Sequence, residues 1–316
     1  MQGSLVAIHR QGPALAGRLL RRLVASTALL ASGVAGPAAS AAGFVPSESL
    51  LPATTRVWVS IGDPQGLRER FDRTDLGRLV RDPQMGPFVD SVREQARKAG
   101  SRRLGRLGLS YEDLLDVPGG EVALGIIEPA PGRLAAVLLV DTTGRADEAR
   151  RLVETIGERL AERKATRTTA TAGGEATMTV YGVPPEPGSD QASTVAIVLG
   201  TDSLVVGDDP AVVMQTASSL ATGRADSLST VPSWKAVAES CGSRVPLGAA
   251  PIRWYVDPLG FAKAFQAANP PREKRKGPDY VAILGRQGFD AVKGIGGAVA
   301  FAEGLHDVRH HTLIHA

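Results

Sequence analysis

The chain has 316 residues, a formal net charge of +3 and a sequence pI near 9.2. This length allows one large domain or two ordinary ones, and a composition with 43% hydrophobic and 22% charged residues excludes a wholly disordered chain. The single cysteine excludes a disulfide framework and a cysteine-based metal cluster.

The first 42 residues have the organisation of a secretory signal peptide. They contain four arginines and no Asp or Glu, followed by the apolar run 23–34 (LVASTALLASGV) and by Ala39-Ser40-Ala41 at a cleavage position. The apolar run is shorter than the roughly 20 residues that span a bilayer. We expect export to the periplasm or the extracellular space, with no transmembrane span after cleavage; retention of the segment as an anchor is the alternative. The arginines are Arg10, Arg18, Arg21 and Arg22.

The basic excess of the chain belongs to this segment. Removing residues 1–42 takes away four of the 36 basic residues and none of the 33 acidic ones. The rest of the chain therefore has 32 basic against 33 acidic residues and a net charge of −1. Because a nucleic-acid-binding protein keeps its positive charge in the folded domain, we expect no nucleic-acid partner.

Three apolar segments each end at an Asp-Pro pair that opens a helix. An Asp at the N-cap accepts hydrogen bonds from free backbone N–H groups, and Pro at the first helical position already has the required φ. A fourth apolar segment, Leu134–Val140, leads through Asp141 into an amphipathic helix from Ala146 to about Arg163. The three pairs are Asp63-Pro64 after Val57–Ile61, Asp209-Pro210 after Ser203–Gly207, and Asp257-Pro258 after Ile252–Val256.

Two hairpins are predicted by turn residues between apolar segments. Glu121–Ile127 and Leu134–Val140 flank a Pro-Ala-Pro-Gly turn, and Thr194–Leu199 and Ser203–Gly207 flank a Gly-Thr-Asp turn. Such short connections favour an α+β fold in which helices pack on one side of an antiparallel sheet. A further strand is expected at 176–181, and loops are expected at 166–174, 184–191 and 270–278.

An internal repeat is one interpretation of the chain. Val57–Phe71 parallels Arg253–Phe265, and Leu114–Ile127 parallels Phe289–Phe301. On this interpretation, residues 43–245 form a first α+β repeat or domain, and residues 246–316 are the start of a second, incomplete one. Chance similarity between common strand–turn–helix units is the alternative, because Asp-Pro is frequent at helix starts.

Several segments resemble an uncharacterised family of bacterial secreted or envelope proteins. These segments are LLPATTRVWVSIGDPQGLRERFDRTDLGRLVRDPQMGPFV, YEDLLDVPGGEVALGI, LVVGDDPAVV and RWYVDPLGF. The family is known as domain of unknown function 3352, with its planctomycete-type relatives, and the resemblance covers roughly residues 50–316. It implies an export signal and this architecture, and it supplies no functional residues.

The histidines limit the possible chemistry. Four of the five lie in the last eleven residues, at His306, His310, His311 and His315. Their spacing of four is that of helical metal ligands, but the apolar alternation around them favours a strand, on which four ligands could not converge on one ion. No nucleophile elbow, phosphate loop or H-E-x-x-H motif is present. We expect no metal site, and a hydrolase that uses these histidines stays an alternative.

Other chemistry-bearing residues also have structural interpretations. We expect Asp208-Asp209 to form a turn and cap, Glu112 and Asp113 to lie in a first helical turn, and Asp116 to precede a turn. The glycines within 294–297 would let a strand begin close to another backbone, and Cys241 would be a partly buried free thiol.

Two basic clusters could contact anionic envelope polymers or lipid headgroups, although a solvated helix end and a solvated linker explain them as well. They comprise Arg93, Arg97, Lys98, Arg102, Arg103 and Arg106, and Arg272, Lys274, Arg275 and Lys276.

The sequence as a whole predicts an exported α+β protein that acts as a non-catalytic binding or structural module of the cell envelope. We expect an envelope or protein partner whose identity the residues do not reveal. No catalytic, cofactor-binding or metal-ligating residue is assigned, and no cofactor is expected. A secreted hydrolase that uses the C-terminal histidines is the alternative function.

Overall fold

A ten-stranded antiparallel sheet organises the described part of the chain. The computed structural model describes residues 44–92, 94–95, 109, 116–171, 177–185, 192–245, 252–269, 279–301 and 307–316. The strands are β1 (Thr55–Ile61), β2 (Val122–Ala130), β3 (Arg133–Asp141), β4 (Thr166–Thr171), β5 (Thr177–Val183), β6 (Ser193–Leu199), β7 (Ser203–Gly207), β8 (Ile252–Val256), β9 (Gly294–Phe301) and β10 (Val308–His315). Their order across the sheet is β10-β9-β8-β1-β2-β3-β7-β6-β5-β4.

Helices alternate with these strands, which makes the fold α+β as predicted. They are α1 (Ser47–Leu50), α2 (Pro64–Arg73), α3 (Asp75–Val80), α4 (Ala146–Glu162), α5 (Pro210–Ser218), α6 (Pro232–Gly242), α7 (Pro258–Ala268) and α8 (Tyr280–Arg286), and residues 86–92 are also helical. Among the described residues, no helix combines the length and the apolar character needed to cross a membrane.

The three predicted Asp-Pro caps are confirmed. Asp63 accepts a hydrogen bond from the Gly66 N–H at 2.8 Å at the start of α2. Asp209 does the same for α5, accepting from Ala211 N at 2.9 Å, and Asp257 caps α7. Each of these three strands is therefore followed by an aspartate whose side chain accepts a hydrogen bond from a backbone N–H in the first turn of the next helix, which has no partner within the helix.

Both predicted hairpins are also present, as β2–β3 and β6–β7. The predicted loop at 166–174 is different, because its first six residues form the edge strand β4. Its threonines are β-branched and pair with β5, while every β4 residue is exposed, so no apolar alternation marked the strand in the sequence. Residues 186–191 and 270–278, within the other two expected loops, lie outside the described residues.

The sheet carries helices on both faces, whereas we expected them on one side. Side chains of β3 alternate between two cores: Val137 and Leu139 lie in the first, and Leu138 and Val140 in the second. Helices α1, α5 and α6 contribute to the first core, and α4 supplies the second through its stripe of small and aliphatic residues. A strand that is buried on both faces requires cover on both, which is why the β3 sequence LAAVLLV is continuously apolar.

Strands β1 and β8 pair antiparallel at the centre of the six consecutive strands β10-β9-β8-β1-β2-β3. Val59 lies opposite Trp254, and Ser60 opposite Arg253. Outward from this pair, β2 and then β3 follow on one side, and β9 and then β10 follow on the other. Residues 252–316 thus add their strands to the same sheet as β1, in an order that a repeated strand–helix–hairpin unit would produce. The repeat itself stays a prediction.

Candidate binding cleft beside helix α1

Helix α1 is fixed to the sheet by the carboxylate of Glu121. This carboxylate accepts hydrogen bonds from the backbone N–H of Ser47 at 2.9 Å and from the Ser47 hydroxyl at 2.8 Å. It also accepts a hydrogen bond from the hydroxyl of Ser60 on β1. The indole N–H of Trp58 donates to the Ser47 hydroxyl at 3.0 Å. Because Ser47 and Ser60 are fully buried, Glu121 satisfies donors that water does not reach.

Arg253 completes this network from β8. Its guanidinium donates to Glu48 Oε1 at 2.8 Å and to Glu121 Oε1 at 3.3 Å, and it lies 5.0 Å from the centre of the Trp58 ring. The side chains of Arg253, Glu48 and Glu121 are 24%, 9% and 11% exposed. Two carboxylates with one shared guanidinium form a partly buried ion-pair network, which positions α1 and the chain that follows it.

A cleft of about 580 Å³ lies between α1 and the segment 221–230. Backbone hydrogen bonds hold the two walls together: Arg224 N donates to Ser49 O at 3.1 Å, and Leu228 N donates to Leu51 O at 2.8 Å. The cleft is shallow and largely open to solvent, so it would cover only part of a small ligand. The polar residues of the lining are Ser49, Thr222, Arg224, Ser227, Ser229 and Thr230.

Arg224 is the charged residue of this lining, and Asp226 orients it. The Arg224 Nε and Nη2 atoms donate to the two carboxylate oxygens of Asp226 at 2.8 and 3.1 Å. Hydrogen bonding from Arg224 holds the pKa of the Asp226 carboxyl below its usual range. The Arg224 side chain is 18% exposed and Asp226 is 71% exposed. Since a guanidinium has five N–H donors and Asp226 takes two, three are left for a ligand.

The hydroxyls of the cleft have partners that leave lone pairs free. Ser227 and Ser229 share a hydrogen bond of 2.8 Å between their Oγ atoms, and the Thr230 hydroxyl donates to the Ser227 carbonyl at 2.7 Å. A hydroxyl has one donor and two acceptor positions, so Ser229 and Thr230 keep capacity for a ligand, whereas Ser227 is buried. The cleft therefore offers a fixed cation beside several adaptable hydroxyls.

Three of the four C-terminal histidines, His310, His311 and His315, lie on a strand, as the alternation predicted. His310 and His311 are neighbours on β10 and point to opposite faces of the sheet. His310 Nε2 lies 2.8 Å from Thr312 Oγ1, and His311 Nε2 lies 2.8 Å from Ser240 Oγ on α6. Among the described residues, no group of three or more His, Cys, Asp or Glu side chains could hold a metal ion. His306 lies outside the described part.

Other residues singled out in the sequence are structural where they are described. Asp209 caps α5, and Asp208 accepts a hydrogen bond from Ala136 N at 2.7 Å. Cys241 is a buried free cysteine near the end of α6, and burial raises the pKa of its thiol. Gly296 lies so close to the Trp254 carbonyl that a side chain would collide with it, as expected for a strand that begins near another backbone.

The remaining candidates are not brought into a site by the described structure. Asp116 is exposed at a bend before β2, and Glu112 and Asp113 lie outside the described residues. Both basic clusters, the arginines and lysine between 93 and 106 and those between 272 and 276, lie there as well. Their contact with anionic polymers or headgroups stays a prediction.

Sequence reasoning missed Arg224, the Glu121 network and the Ser240–His311 contact. Arg253 interrupts the otherwise apolar strand IRWYV, which was a usable indication of a buried charge that needs partners. Its partner Glu48 is 205 residues away in the chain, and Ser240 and His311 are 71 residues apart. No local pattern connects residues at these separations.

Comparison with known proteins identified no relative of this chain. No family model, no curated protein and no solved structure matches the chain. The resemblance to the domain of unknown function 3352 therefore stays a prediction.

Proposed function

We propose that this chain is an exported, non-catalytic binding module of the cell envelope whose cleft beside α1 takes a small polar ligand with an anionic group. The observation that carries the proposal is the orientation of Arg224 by Asp226 in the lining of that cleft. Asp226 occupies the Nε and Nη2 side of the guanidinium, which leaves the N–H groups of Nη1 and one of Nη2 for a carboxylate or phosphate, and because the side chain is already held, less side-chain entropy is lost on binding. The surrounding hydroxyls suit a ligand that itself carries hydroxyl groups, such as a sugar acid or a sugar phosphate.

The cleft favours binding over reaction because of the residues that line it. Its polar groups are hydroxyls and one arginine, and no histidine, cysteine or carboxylate is among its lining residues. A hydroxyl nucleophile requires an adjacent general base, which this lining does not supply. Arg224, in contrast, provides a positive charge and N–H donors in a fixed orientation, which suit the binding of an anionic group.

Arg224→Ala is expected to weaken ligand binding at least tenfold. Calorimetric titration with sugar phosphates, uronic acids and neutral sugars of equal size would measure this, and we expect the anionic members of the panel to bind the unaltered protein. Arg224→Lys should recover only part of the affinity, because an ammonium group does not reproduce the bidentate fork.

Arg78→Ala is the matched control for this substitution. Arg78 is also paired with an aspartate, Asp75, but it lies on α3 and its side chain is 65% exposed. Its removal should leave ligand affinity unchanged. Equal binding of neutral and anionic sugars, or binding that is unaffected by Arg224→Ala, would show that the cleft does not select an anion.

The export part of the proposal rests on residues 1–42 and has its own test. Expression of the full chain with a C-terminal tag in a Gram-negative host should yield a periplasmic product that is shorter by about 42 residues. Ala39→Lys together with Ala41→Lys should block this shortening, since the peptidase requires small residues there, and mass spectrometry would show the uncleaved chain. A full-length cytoplasmic product of the unaltered chain would contradict export.

A secreted hydrolase is a second candidate, and the contact between Ser240 and His311 favours it. A serine hydroxyl 2.8 Å from an imidazole nitrogen has the geometry of a nucleophile and its base. We expect Ser240→Ala and His311→Ala to abolish any turnover of activated esters by the purified protein. Activity that survives both substitutions, or that is absent from the unaltered protein, would eliminate this candidate.

A further inference from the structure

Strand β4 forms an edge of the sheet in the middle of the chain. It follows α4 and precedes its pairing partner β5, so its open side does not arise at an end of the sequence. All six of its residues pair with β5 without a shift of register, from Thr166 opposite Gly182 to Thr171 opposite Thr177. Every one of the six is exposed, on both faces of the sheet, so no helix in the described part of the chain overhangs this edge.

The β4 edge has few of the features that keep natural edge strands from pairing. Such strands are usually protected by a proline, a bulge, charged side chains or a very short length. The sequence of β4, TRTTAT, has no proline and a single charge, that of Arg167, and its pairing with β5 has no bulge. Its four threonines are β-branched and favour an extended backbone. The strand is therefore a template on which a further strand can pair.

The direction of the free backbone groups of β4 follows from the β6–β7 hairpin. Gly200 N donates to Ser203 O at 2.8 Å, so the even-numbered residues of β6 direct their N–H and C=O groups toward β7. In an antiparallel sheet the two groups of one residue point to the same side, and successive residues alternate. By the registers, odd-numbered residues of β6 and β5 then bond to each other, and even-numbered residues of β5 and β4 do the same. The outward groups of β4 belong to Arg167, Thr169 and Thr171.

A second copy of β4 is complementary to this edge. About a two-fold axis perpendicular to the sheet, Thr169 would lie opposite the second copy's Thr169, and Arg167 opposite the second copy's Thr171. The three outward residues of each copy would then exchange backbone hydrogen bonds with the same three in reverse order. Each cation lies opposite a hydroxyl rather than the other cation, and threonine opposite threonine is a favourable cross-strand pair. Helix α4 does not obstruct this approach, because its apolar stripe packs on β5 and β6, inside the edge.

We propose that two copies of this chain associate by antiparallel pairing of their β4 edges, so that their sheets become continuous. The edge offers a row of backbone donors and acceptors, and its single cation gives no charge pattern that would select an acidic or a basic peptide, whereas the strand is complementary to itself. An interface of one strand from each copy is at the small end of the range for specific complexes. We therefore expect a weak dimer that forms at about 100 µM and dissociates on dilution.

The test is sedimentation velocity of the purified chain at concentrations from about 5 to about 200 µM, which should show a shift from monomer to dimer. Thr169→Pro removes an outward N–H at the two-fold axis while leaving the pairing with β5, and it should weaken the dimer at least tenfold. Thr169→Val keeps that N–H and the β-branched shape, and should dimerise as the unaltered chain does.

A pair of charged variants keeps the proposal testable if Thr169→Pro fails to fold. Thr169→Asp and Thr169→Lys each place two like charges opposite one another, so each variant alone should be monomeric, and an equal mixture of the two should form a heterodimer. The same two substitutions at Thr177, which is exposed on β5, are the matched control and should leave the dimer intact. A monomer at every concentration, a dimer that survives both charged variants at Thr169, or a mixture that stays monomeric would overturn the proposal.

Discussion

Replacing Glu121 with alanine is expected to lower the free energy of unfolding by about 3 kcal/mol. The substitution removes the acceptor of the Ser47 N–H, the Ser47 hydroxyl and the Ser60 hydroxyl, and both serines are fully buried. Each buried donor that loses its partner costs about 1–3 kcal/mol, and Arg253 loses one of its two carboxylates as well. Urea denaturation monitored by the fluorescence of the tryptophans would measure the change.

Asp147→Ala is the control for Glu121→Ala. Asp147 is also paired with an arginine, Arg150, but the two side chains are 75% and 60% exposed on α4. An exposed pair contributes about 0–1 kcal/mol, so this variant should unfold at nearly the original urea concentration. If Glu121→Ala cost no more than Asp147→Ala, the network would not be what holds α1 on the sheet.

Replacing Gly296 with alanine should destabilise the protein by about 2 kcal/mol, although it adds a single methyl group. That methyl carbon would lie 2.6 Å from the carbonyl oxygen of Trp254 and 2.7 Å from Val237 Cγ1. The first contact is with backbone of the neighbouring strand, so relief requires β8 and β9 to separate locally, and overpacking of this kind costs about 1–3 kcal/mol. Thermal unfolding followed by circular dichroism would register a lower midpoint.

The same substitution at Gly285 is expected to raise the stability of the protein rather than lower it. Gly285 lies in α8, and apart from its chain neighbours and the backbone of its own helix, no atom of the described residues lies within 4 Å of the position its methyl group would take. Alanine is favoured over glycine inside a helix by about 1 kcal/mol, so Gly285→Ala should raise the midpoint. Two variants that shifted in the same direction would contradict the close approach of β8 and β9.

Local features of the sequence predicted much of the fold because their causes are local. An aspartate followed by proline caps a helix wherever it occurs, and this rule placed the starts of α2, α5 and α7 correctly. Turn residues placed the β2–β3 and β6–β7 hairpins for the same reason. Strand β4 was missed because its stability comes from pairing with β5 rather than from apolar alternation.

The candidate cleft could not be predicted in this way, because its walls come from distant parts of the chain. Ser49 lies in α1, whereas Arg224 lies after α5, and a backbone hydrogen bond between them joins the two walls of the cleft. The two-sided cover of the sheet was missed for a related reason. Continuous apolarity in β3 indicates burial, but the helices that provide it are separated from β3 along the chain.

The pairing of β1 with β8 has a consequence for the order in which the molecule forms. The partners are 191 residues apart at Ile61 and Ile252 and 199 residues apart at Val57 and Val256. At a synthesis rate of about 5–20 residues per second, β8 is synthesised roughly 10–40 s after β1. During this interval one edge of β1 is open, and the buried Trp58 does not have Arg253 beside it. Contacts of such long range slow folding, so a partly made chain is the form most exposed to aggregation and in most need of a chaperone.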